Sequence, residues 1–145
     1  MKQFKILPLL ALVLFLFSCN GKAQDKKTET STNISKIEVI DFHSTHRCMT
    51  CNAIETSTKY TLKTYFENEL KEGKITFQVI NIDDKKNYKM AEKFEASGTA
   101  LFLNVISKGK ETQIDLTEFA FMKGNEQEEF SKELKTKIDS ELNKL

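Results

Sequence analysis

The sequence predicts an α/β domain of order β-α-β-α-β-β-α, one central mixed sheet covered by helices on both faces. Three observations carry this expectation. Stretches rich in β-branched and aromatic residues alternate with stretches whose apolar residues recur at helical spacing. The run Ala100 to Ile106 is almost wholly apolar, as a strand covered on both faces must be. The strand signals also fall as a parallel βαβ unit followed by a hairpin, which makes the sheet mixed.

Taken in order, Ile37-Glu38-Val39-Ile40-Asp41-Phe42 is the first strand, followed by a loop from His43 to Arg47. Cys51 to Lys71 places Ile54, Thr58, Leu62, Phe66 and Leu70 at four-residue steps, one stripe of an amphipathic helix, and Gly73 stands where it stops. Ile75 to Ile82 is the second strand. Asn87 to Phe94 is a short helix with Tyr88, Ala91 and Phe94 on one side, closed by Ser97-Gly98. After the third strand, Lys108-Gly109-Lys110 turns the chain into a fourth, where Thr112, Ile114 and Leu116 alternate. Phe119 to Met122 reads as a short packed segment rather than a full strand. Glu126 to Leu145 aligns Phe130, Leu134, Ile138, Leu142 and Leu145 on one face of a last helix.

The 145 residues hold 22 Lys plus Arg against 21 Asp plus Glu, a formal charge of +1. Such a balance supplies no basic field for gripping nucleic acid, and the length leaves room for one globular domain. Residues 1–18 resemble a bacterial lipoprotein signal: Lys2 and Lys5 precede the apolar run Ile6 to Phe17, and Ser18 precedes Cys19. A run of that length suits a signal-peptide core and is too short to span a bilayer. The expectation is cleavage before Cys19, lipidation of Cys19, and a lipid anchor made stable by several acyl chains. Residues 19–35 are almost entirely polar and read as a flexible tether, reaching roughly 20–25 Å, with the domain spanning 36–145. The domain is thereby expected in the cell envelope, as a periplasmic or outer-membrane lipoprotein.

Once Cys19 is set aside, the domain holds Cys48 and Cys51, three apart, between the first strand and the first long helix. A Cys-x-x-Cys pair at that junction is the redox pattern. Cys48 at the helix amino terminus would have its thiolate stabilised by unpaired N–H groups, and Cys51 one turn on is close enough to bridge to it. Both histidines and the only arginine fall in His43-Ser44-Thr45-His46-Arg47, so positive charge from His46 and Arg47 would favour that thiolate. Arg47 equally suits contact with an acidic partner.

These residues resemble the thioredoxin superfamily, where Ile40-Asp41-Phe42 matches the strand leading into the active site. More narrowly, Phe42-His43, Thr45, Arg47-Cys48, Thr50-Cys51, Ala53 and Glu55 resemble a thioredoxin-like family described as nitrophenyl compound nitroreductase subunits, small exported bacterial proteins. The resemblance covers about Glu38 to Leu116. It implies a thioredoxin-like fold and thiol-disulfide exchange with protein or small-molecule disulfides and dithiols, supplied by a membrane thiol-electron transporter. It also implies that Asp41 passes protons to Cys51, while the residues alone equally suit a plain strand-end carboxylate. Thioredoxins carry a cis-proline opposite the cysteines; here Gly98-Thr99-Ala100 fills that place, and Thr99-Ala100 is expected trans because a non-proline cis bond costs about 3 kcal/mol. No Gly-rich loop for a flavin or nicotinamide is present, so no cofactor is expected.

The same loop supports two other readings. His43, His46, Cys48 and Cys51 form a legitimate zinc or copper set, for metal binding or delivery. In an oxidising compartment the two cysteines also suit a purely structural bridge.

Overall fold

The structure is a computed structural model, and it describes residues 35–145. The signal, Cys19 and nearly all of the tether lie outside the described residues. Four strands, β1 (Lys36–His43), β2 (Ile75–Asn81), β3 (Ala100–Ser107) and β4 (Lys110–Asp115), form one sheet in the order β2-β1-β3-β4. β1 pairs parallel with β2 and antiparallel with β3, which pairs antiparallel with β4. Five helices complete the fold: α1 (Met49–Tyr65), α2 (Glu67–Lys71), α3 (Tyr88–Lys93), α4 (Thr117–Lys123) and α5 (Gln127–Leu142). Strand order, strand direction and helix placement make this a thioredoxin-like fold.

Alternation along β1 divides the core in two. Ile37 and Val39 face one side with Leu101, Leu103 and Val105 of β3, against Ile54 and Leu62 of α1 and Phe130, Leu134 and Ile138 of α5. Ile40 and Phe42 face the other, with Phe94, Ala100 and Phe102; the rings of Phe42, Phe94 and Phe102 meet at centroid distances of 5.3–5.9 Å. β3 is buried from Ala100 to Val105, as its composition requires. β4 is an exposed edge; of its expected inward residues Ile114 is half-buried, and Leu116 is buried just past the strand's end.

The structure departs from the sequence reading in three places. The expected single helix Cys51–Lys71 starts earlier and divides at Phe66. Each four-residue step overshoots a full turn by about 40°, so a straight helix would carry a stripe from Ile54 to Leu70 far around its surface. Leaving helical geometry for one residue keeps Phe66 buried and Leu70 packed on the core. Second, the short helix is preceded by a 3₁₀ turn at Lys85–Asn87. Third, the ambiguous Phe119–Met122 is part of α4, whose first amide is capped by Asp115 Oδ1 at 2.8 Å and whose Phe119 ring stacks on Phe130. Gly73 closes α2 at φ +72°, a conformation that favours glycine. No peptide bond among the described residues is cis, so Thr99-Ala100 is trans. No helix among them is long and apolar enough to cross a membrane.

Candidate redox site

Where β1 ends, the chain turns through Ser44–Arg47 before α1 begins. The Thr45 amide donates to Asp83 Oδ2 at 2.6 Å, and Asn81 Nδ2 donates to Thr45 Oγ1 at 3.2 Å, so the end of β2 and the residues just after it hold this turn. The bond from the Thr45 amide, with one from its hydroxyl, keeps the Asp83 carboxyl below the usual carboxylate range. Within the turn, His43 Nδ1 donates to the Ser44 carbonyl at 2.8 Å and the Ser44 hydroxyl donates to the His46 carbonyl at 3.0 Å.

Cys48 follows as the N-cap of α1. Its extended backbone starts the helix, and its Sγ accepts from the Cys51 amide at 3.1 Å. That is the position where a helix leaves N–H groups without intrahelical partners. Cys48 and Cys51 are joined as a disulfide with Cα atoms 5.1 Å apart. The pair is asymmetric: Cys48 is exposed, whereas Cys51 is 7% exposed. Met49 between them stands 87% exposed.

Asp41 sits on the large-core face of β1, opposite Val79 of β2 and Leu101 of β3, with no access to water. Neither carboxylate oxygen has a hydrogen-bond partner. Burial pushes its pKa up to about 7, against the pull of Arg47. The Arg47 guanidinium turns inward: Nη2 lies 3.8 Å from Asp41 Oδ2 and donates to the Cys51 carbonyl at 3.1 Å, while Nη1 donates to Glu55 Oε2. Lys59 holds the other oxygen of Glu55. Burial pushes the Glu55 carboxyl up, yet hydrogen bonds from Lys59 and Arg47 hold it below its ordinary value.

The fold thus brings Cys48, Cys51, Arg47 and Asp41 into one connected group. His46 stays exposed on the turn, and Thr99 reaches the same end of the sheet through the Phe42–Ala100 pairing, where it lines a groove of about 570 Å³. No three His, Cys, Asp or Glu side chains among the described residues are grouped to hold a metal ion, so His43, His46, Cys48 and Cys51 do not converge as a ligand set. Two residues that hold this group in place were given no role in the sequence reading. Glu55 had a signal, since it lies one turn beyond Cys51 on the same helix. Asp83 had none: it remains exposed but anchors a turn 38 residues away in the chain.

No family model matches the chain, and no curated protein matches it. Among solved structures it is similar to one described as a malarial protein, at 19% identity and TM-score 0.39, covering 61% of this chain and 94% of that one. It is also similar to the thioredoxin of Fasciola hepatica, at 20% identity and TM-score 0.41, covering 63% of this chain and 79% of that one.

Proposed function

We propose that this protein exchanges dithiols and disulfides through Cys48 and Cys51 at a membrane surface. The observation that carries this reading is the unequal exposure of the two bridged sulfurs at the start of one helix. An exposed cap residue meets a partner, and a buried one a turn later closes the bridge.

In the reduced protein the Cys48 thiolate attacks a target disulfide, forming a mixed disulfide and releasing one target thiolate. Cys51 then gives its proton to Asp41, and its thiolate attacks the Cys48 sulfur, breaking the mixed disulfide and releasing the second target thiolate. The pair loses two electrons and the target gains them. Run backwards, the same steps oxidise a dithiol. A carboxyl group whose pKa lies near 7 is suited to accept and return that proton at ambient pH.

In this proposal the activity sits on a lipid anchor at Cys19 in the cell envelope, a reading supported by the lipoprotein-like signal and by the resemblance of residues around the cysteines to the exported family described as nitrophenyl compound nitroreductase subunits. A membrane thiol-electron transporter would there restore the reduced pair. Insulin reduction tests the chemistry: Cys48→Ser is expected to abolish turnover, and Cys51→Ser to accumulate covalent complexes with partners. Normal turnover by either variant would reject it.

A further inference from the structure

We propose that Arg47 and Glu55 act as a positioning pair: the guanidinium bridges the active-site helix to Asp41, and the charge of Glu55 sets how much of its field Asp41 feels. This deepens the exchange reading above and rests on it.

The geometry is specific. A single guanidinium nitrogen, Nη2, faces both the Cys51 carbonyl at 3.1 Å and Asp41 Oδ2 at 3.8 Å, while the other terminal nitrogen is taken by Glu55. Asp41 is therefore near a cation without being hydrogen-bonded to it, and both its oxygens are buried without partners. Arg47 Nε is also buried and unpartnered. A guanidinium carries five donors in a fixed fork, so this arrangement leaves donor capacity unused beside an acid that has none. A contact optimised for stability would close that gap. One that must let the acid gain and lose a proton is served by keeping the cation near but not bound.

The charges that act on Asp41 come from Arg47 on the turn and from Glu55 and Lys59 on α1. Its neighbours across the sheet, Val79 and Leu101, carry none. Glu55 opposes Arg47 at this point and also occupies its Nη1. Neutralising Glu55 removes a repulsion and releases the guanidinium toward Asp41; both effects favour the carboxylate. Neutralising Arg47 does the reverse.

The test is the titration of Asp41 in the disulfide form of the whole chain, with aspartate carboxyls labelled with ¹³C and the Asp41 signal identified by its loss in Asp41→Asn. Glu55→Gln is expected to move the midpoint to lower pH, and Arg47→Gln to higher pH, each by roughly half a unit or more. Arg47→Lys, which keeps the charge, is expected to stay nearer the parent than Arg47→Gln does. Shifts in the same direction, or the absence of the Glu55→Gln shift, would overturn the pair. If Arg47→Gln does not fold, the Glu55→Gln midpoint decides alone. In exchange assays the pH profile should follow the same two directions. Because the titration needs no turnover, absent exchange with opposite shifts rejects the function and keeps the pair, whereas exchange with unmoved midpoints rejects the pair alone.

Discussion

A carboxyl group without solvent or a hydrogen-bond partner taxes the fold whenever it ionises. Asp41 titrates near 3.8 in an unfolded chain and near 7 here, because burial disfavours its charge. The folded protein holds this proton more tightly, so its stabilising effect is whole below pH 3.8 and drains away as pH rises to about 7. The loss is on the order of 4 kcal/mol. Asp41→Asn should therefore gain stability relative to the parent across that window, read from urea midpoints; parallel curves would refute the assignment. Asp41 was singled out in the sequence through the resemblance of Ile40-Asp41-Phe42 to a thioredoxin strand; composition alone did not separate it from Glu38 in the same strand. Arg47 was half legible. Its nearness to Cys48 is a matter of sequence, but its inward turn to Glu55 and the Cys51 carbonyl depends on how the turn is pinned by Asp83, which no local pattern encodes.

At the scale of elements, the start of α1 is braced by the end of α4. Gly124 follows α4, and a Cβ there would come within 2.7 Å of the Ala120 carbonyl oxygen of α4 and, across the contact, within 2.9 Å of Ile54 Cγ1 and 3.3 Å of Thr50 Cγ2, both on α1. Asn125 Nδ2 donates to Thr50 Oγ1 at 3.3 Å in the same place. Gly124→Ala should push on the turn that carries the cysteines and cost about 1–3 kcal/mol, with chemical-shift changes centred on Thr50 to Ile54. Changes confined to α4 would contradict the brace. The strands and the last helix could be read in advance because their periods are short and their residues simple. α4 could not, since Phe119-Ala120-Phe121-Met122 is apolar throughout and its period shows only once Phe119 and Ala120 are seen to face inward and Phe121 and Met122 outward. The division at Phe66 was hidden for a different reason. A four-residue repeat resembles an unbroken helix until its drift is followed over several turns.

For the molecule as a whole, two apolar clusters carry the stability and the bridge adds little. A cross-link closing a ring of four residues restricts the unfolded chain by about 2 kcal/mol. Reduction should accordingly leave the domain folded, with a modest fall in melting temperature that a thermal scan with and without reductant would measure. Collapse on reduction would mark the bridge as structural. The two clusters are unequal: fifteen buried residues join α1, α4 and α5 to one side of the sheet, and six join α3 to the other. The Cys48–Cys51 bridge, at the start of α1, is therefore fastened to the larger cluster. Thermal breathing begins where the fewest contacts must part. The thinner cover can loosen and reclose many times while sulfur, guanidinium and carboxylate keep their spacing, so the exchange proposed above would not require the chain to hold rigid everywhere, only around the bridge.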